Sequence, residues 1–123
     1  MKESLNEYMT LLFIKHYYGE AYFEKYFNDN YIQPYLAVKG HSNDARLIDM
    51  TFNANNIVVY CKGPVLIHSL VKEWGEENWL DFMKTFYMRY KYIPDLSYDM
   101  FISAMAEKSL QHARKLDLLV REL

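Results

Sequence analysis

At 123 residues the chain is long enough to bury a core, and with 51% hydrophobic residues it is a globular sequence rather than a disordered one. A formal net charge of −2, with Lys and Arg dispersed, leaves no basic stripe for nucleic acid, and the one cysteine, Cys61, excludes an internal disulfide framework. No run approaches the roughly 18 to 20 apolar residues that a membrane span requires, and Met1-Lys2-Glu3 does not lead into a signal-peptide core.

From residue 3 to residue 18 the positions Leu5, Tyr8, Met9, Leu11, Leu12, Phe13, Ile14, Tyr17 and Tyr18 cover nearly the whole circumference of a helix, which predicts burial on all sides. Gly19 ends this helix. A second follows with Tyr22, Phe23, Tyr26 and Phe27 on one face and Pro34 as its limit. The segment from Pro34 to about Asn56 is rich in Gly, Asn, Asp and Ser without sustained periodicity, and reads as a long ordered loop of the kind that is functional or leans on a neighbour. Pro64 is tolerable only in a first helical turn, so a third helix is expected to start near Tyr60 and to close at Gly75.

The fourth helix, about Glu76 to Tyr92, carries Trp79, Met83, Phe86 and Tyr90 at helical spacing and stops before Pro94. Ser97 is the expected N-cap, with Asp99 in the first turn, of a fifth helix bearing Phe101, Ile102 and Met105; Leu110, Ala113, Leu116, Leu119 and Val120 form a last one. There is no strand pattern and no repeat. The expectation is an all-α chain of five or six helices, a single helical domain or fragment over 1–123 with a long loop at about 34–56.

The catalytic inventory from residue types alone is thin. There is no glycine-rich phosphate loop and no G-x-S-x-G, and His16, His41, His68 and His112 form neither H-E-x-x-H nor a cluster. Cys61 has no His or Asn partner suggested by the sequence and reads as a small buried hydrophobe.

Two motifs rise above this background: "KESLNEYMTLL" and, after the loop, "YCKGPVLIHSL" followed by "GEENWLDFMKTFYMRYKY". Together they resemble the zinc aminopeptidases of the aminopeptidase N family, gluzincins with a thermolysin-like catalytic domain. In that family a helix opening with Glu-Gly-x-x-x-Tyr follows the H-E-x-x-H helix and supplies the third zinc ligand, and a later Tyr-x-Lys-Gly sets a tyrosine over the metal. Glu3 to Tyr8 matches the first motif, with Ser4 where Gly is usual. Glu7 is the alternative ligand position, but the residue five after it is Leu12, whereas five after Glu3 comes Tyr8.

By this resemblance Glu3 would be a metal ligand and Tyr60 would donate its hydroxyl to the oxyanion of the tetrahedral intermediate formed on a peptide substrate. Lys62 would be a solvated first-turn charge and Gly63 a close-packing position, while Pro64 and Thr10 depart from the family pattern. The match covers roughly residues 2 to 108. It further implies that the H-E-x-x-H helix, its general base and the loop that holds the substrate's free amine lie upstream and are missing here. The chain would then be a helical fragment of the catalytic domain, inactive and without zinc on its own. A first helix with part of its apolar surface uncovered would drive self-association. The rival expectation is a non-enzymatic helical interaction module, in which Glu3 and Glu7 are ordinary charges favoured at a helix N-terminus.

Overall fold

The computed structural model describes residues 1–50 and 57–122. Of these residues 82% are helical, none is in a strand, and six helices account for the structure, as the all-α expectation requires. We label them α1 (Lys2–Tyr18), α2 (20–38), α3 (58–74), α4 (Glu76–Tyr90), α5 (Tyr98–Lys108) and α6 (Leu110–Arg121). A short 3-10 turn, Leu47–Asp49, lies between α2 and α3.

Local chemistry accounts for most of the helix ends. Gly19 and Gly75 separate consecutive helices at φ +92° and +99°, a region that L side chains avoid and glycine enters freely. Ser97 caps α5, its hydroxyl accepting the Met100 N–H at 3.1 Å, and Asp99 lies in the first turn.

Two expected boundaries move, both at prolines. Pro34 does not stop α2: an α-helical part, Glu20–Phe27, passes through a π-helical turn, Asn28–Ile32, into a second α-helical part, Gln33–Val38. The expected loop therefore begins only after Val38, and its residues 51–56 lie outside the described residues. Pro64 likewise falls inside a helix rather than in a first turn, because a second π turn, Val58–Lys62, precedes the α-helical part Gly63–Trp74. A wider turn ahead of a proline accommodates its ring and its missing N–H, so the helix bends its register instead of ending.

The chain divides into two compact units, one of residues 1–68 with 120–123 and one of residues 69–119. In the first, the core is aromatic and aliphatic: Tyr8, Leu11, Leu12, Phe23, Phe27, Tyr31, Tyr35, Leu47, Val58, Val59 and Ile67 are all buried. Phe23, Phe27 and Tyr31 stack at i, i+4 along α2, with centroids 5.5 and 5.7 Å apart. The second unit buries Trp79, Phe82, Phe101, Met105, Ala113 and Leu116, with Phe101 edge-on to Phe82 at 5.3 Å.

Candidate functional site

The two motifs meet in the first unit. Ser4, one residue after Glu3, is fully buried and its hydroxyl donates to the carbonyl of Val59, one residue before Tyr60, at 2.6 Å. Gly63 makes the approach possible, since a Cβ there would overlap the Ser4 hydroxyl and its Cβ. Gly63 is thus a close-packing position, and its partner is Ser4.

Around that junction the two π turns and α1 are stitched by polar contacts. Tyr31, in the first π turn, donates its hydroxyl to Glu7 Oε1 at 2.7 Å. Burial, and then the hydrogen bond and charge of Glu7, push the Tyr31 phenol well above its usual range. Cys61, in the second π turn, has its Sγ 3.6 Å from the carbonyl of Asn30 in the first. Burial and the neighbouring Glu7 charge raise this thiol too, which keeps it protonated and a poor nucleophile. One turn further along α1, Tyr8 is fully buried, with its hydroxyl 3.0 Å from His68 Nδ1; the His68 ring lies against Phe23 and Phe27.

Glu3 and Tyr60 themselves point outward. Glu3 is exposed in the first turn of α1, and Tyr60 keeps 41% of its surface exposed although Val58, Val59 and Lys62 of the same π turn are buried. Glu7, the alternative ligand position, is instead half-buried and engaged with Tyr31. The backbone segments carrying Glu3 and Tyr60 are joined by the Ser4–Val59 hydrogen bond between them.

Lys62 departs from expectation. It is not a solvated charge: its side chain is 1% exposed, with Nζ 2.8 Å from Asp44 Oδ1, 2.7 Å from the Ala45 carbonyl and 3.4 Å from the Glu122 carbonyl, and 5.6 Å from the centre of the Tyr35 ring. Three donors on a lysine meet three oxygens, so the ammonium is satisfied without water. Burial works against the Asp44 carboxylate, but Lys62 and the amides of Gly40 and Ala45 together hold it below its ordinary pKa. The reason for the reversal is non-local, since Asp44 lies in the segment read as loop. An isolated Asp in a Gly- and Asn-rich stretch gives no signal that it will be buried against a helix.

A catalytic zinc takes about three protein ligands and an open position. Among the described residues no group of three or more His, Cys, Asp and Glu side chains could hold a metal ion. Glu3 brings one carboxylate, and none of the four histidines lies with it in such a group.

The second surface feature is a row of rings across the corner between α1 and α2. Phe13, Tyr17, Tyr18 and Tyr22 are 65%, 71%, 58% and 49% exposed, and each touches the next with centroids 5.9, 4.8 and 4.8 Å apart. Tyr22 passes the row on to half-buried Tyr26 at 6.0 Å. No helix among the described residues is long and apolar enough to cross a membrane.

No protein-family model matches the sequence, and no curated protein or solved structure matches it.

Proposed function

We propose that this chain is a helical portion of an aminopeptidase N-like zinc peptidase catalytic domain, in which Glu3 contributes one carboxylate to the metal site and Tyr60 serves as hydroxyl donor. The H-E-x-x-H residues, absent from this sequence, would come from a segment outside it. The observation that supports the reading is the Ser4–Val59 hydrogen bond. It ties two motifs 55 residues apart while the side chain next to each end, Glu3 on one and Tyr60 on the other, stays exposed. A core tyrosine would be buried there, and a helix-end charge would have no reason to sit beside a second motif.

In the complete enzyme the substrate is a peptide with a free N-terminus. The Tyr60 hydroxyl donates a hydrogen bond to the oxygen of the scissile carbonyl as it gains charge, a contribution worth roughly 3 to 4 kcal/mol in such sites. Zinc belongs to that complete site.

Joining an H-E-x-x-H-bearing half of an aminopeptidase N-like enzyme ahead of Met1 tests the reading. The chimera should hydrolyse aminoacyl p-nitroanilides. Glu3→Gln should abolish that hydrolysis, and Tyr60→Phe should lower kcat by about 10²- to 10³-fold with KM little changed. An active chimera indifferent to both substitutions would overturn it. The chain alone should hydrolyse no such reporter and should hold far less than one zinc after dialysis. One tightly held zinc per chain would sink the fragment reading.

The exposed ring row favours a second reading, a helical module that binds another protein, and under either reading it is the surface through which the chain should associate with itself.

A further inference from the structure

Pro34 and Pro64 occupy the same place in two different helices: each is the second residue after a π turn, Asn28–Ile32 in one case and Val58–Lys62 in the other. A proline inside a helix has no N–H for the carbonyl four residues back, and its ring collides with that carbonyl. Opening the preceding turn to an i→i+5 bond relieves the collision. Both turns carry the expected signature, with the Gly63 N–H reaching the Val58 carbonyl and the Gln33 N–H reaching the Asn28 carbonyl, five residues back in each case.

In α3 this has two consequences for the candidate site. In an ordinary α-helix the Val59 carbonyl would take the Gly63 N–H, which here is committed to Val58. The residue five after Val59 is Pro64, which has no N–H to give. The Val59 carbonyl is thereby denied its i+4 and i+5 helical donors, and the Ser4 hydroxyl supplies one at 2.6 Å.

The second consequence falls on Tyr60. On an unbroken α-helix it would share a stripe with Gly63, Pro64, Ile67 and Val71, all of them buried. Tyr60 is nonetheless 41% exposed. The wider turn has rotated it off that stripe.

We infer that Pro64 is a positioning residue for Tyr60. By enforcing the π turn it both frees the Val59 carbonyl for Ser4 and swings the Tyr60 side chain out of the buried stripe, on the segment that the Ser4–Val59 hydrogen bond ties to the turn carrying Glu3. Its value to catalysis rests on the proposed role of Tyr60; the geometric claim does not, and it is tested without any activity.

The test uses the full chain in two measurements. Through-hydrogen-bond couplings in an isotope-labelled sample should pair the Gly63 N–H with the Val58 carbonyl. Nitration by tetranitromethane, followed peptide by peptide in a mass spectrometer, should find Tyr60 close in rate to fully exposed Tyr92 and far above buried Tyr8. Pro64→Ala removes the collision and restores an N–H, so the coupling should move to Val59 and the Tyr60 nitration rate should fall about tenfold relative to Tyr92, as the ring returns to the core stripe. Helix content and melting temperature should hold or rise.

A wild-type coupling to Val59, or a wild-type Tyr60 as unreactive as Tyr8, would overturn the inference. So would a folded Pro64→Ala chain that keeps the Val58 pairing and the Tyr60 reactivity. If Pro64→Ala opens the fold, Tyr8 becomes as reactive as Tyr92, and Pro64→Ser takes its place with the same two expected and overturning results. Failure here leaves the chimera result on Tyr60→Phe untouched, so the two ideas fail separately.

Discussion

Two charged side chains lie in the interior of the first unit, and they stand or fall together. Lys62 and Asp44 are each 1% exposed at the side chain and meet at 2.8 Å. Removing one partner leaves the other charge buried and uncompensated, a loss of about 3 to 5 kcal/mol, whereas a matched apolar pair need not destabilise at all. Lys62→Ala should therefore lower the urea midpoint sharply, and Lys62→Met with Asp44→Leu should recover much of the loss. The same pair sets an acid limit. Asp44 titrates in the folded chain below its ordinary value of 3.8, so its contribution is complete above the unfolded value and is lost as pH falls through the lower folded one. Urea midpoints measured between pH 5 and pH 2 should fall for the wild type, and Asp44→Asn should be weaker at pH 7 and flatter across that range.

At the same scale, Gly63 and Ser4 are a matched pair in which one lacks the atom that the other would strike. Gly63→Ala should cost about 1 to 3 kcal/mol by overpacking, and the cost should shrink when Ser4 is changed to Gly in the same chain. A double-mutant cycle by chemical denaturation reads this coupling directly. Equal costs of Gly63→Ala in both backgrounds would mean that the two residues do not meet.

Among the elements, the helix ends follow local rules and the helix interiors do not. Ser97 is the cap that the sequence announces, and Ser97→Ala should cost about 1 kcal/mol, seen as a lowered thermal midpoint with unchanged helix content in α1 and α2. The prolines behave differently. Each was expected to mark a helix boundary, and each instead sits within a continuous helix behind a π turn. Proline forbids one particular hydrogen bond, and a helix that is held on both sides by packing can give up that bond by widening a turn rather than by ending. Phe27 and Tyr31 before Pro34 and Tyr35 after it are buried, as are Val59 before Pro64 and Ile67 after it, so ending either helix would have uncovered core on one side.

For the molecule as a whole, the decisive feature is which part of α1 is left uncovered. Ser4, Tyr8, Leu11 and Leu12 are buried, while Phe13, Tyr17 and Tyr18 are open and continue into Tyr22 of α2. Taking about 200 Å² for each aromatic side chain, the open rings present roughly 500 Å² of surface, near the upper end for the largest apolar patch of a soluble monomer. Burying it at about 25 cal/mol per Å² would favour the self-association proposed above. Light scattering at high micromolar concentration should report a dimer or larger species, and Tyr17→Lys together with Phe13→Asp should return it to a monomer. A wild-type chain that stays monomeric at that concentration would mean that the row is tolerated in water, and it would weaken both the fragment reading and the module reading.

The sequence by itself determined the helical class, the breaks at Gly19 and Gly75, the cap at Ser97 and the apolar excess of the first helix, because each depends on neighbours within a turn or two: a positive φ that only glycine enters freely, a hydroxyl within reach of an N–H three residues on, a repeat of apolar positions. Glu3 and Tyr60 as site residues rest on short motifs and belong to the proposal rather than to what the sequence determined. Only the tertiary structure decided that Lys62 is buried, that Pro34 and Pro64 lie within helices, that Glu7 is engaged with Tyr31, and that Ser4 joins the two motifs. The outcomes for Lys62, Glu7 and Ser4 rest on Asp44, Tyr31 and Val59, which lie 18, 24 and 55 residues from the partners they meet, and that for the prolines on the buried residues to either side of each. Burial energy and hydrogen-bond satisfaction act between residues that folding brings together, and no period or spacing along the chain records which distant group will arrive.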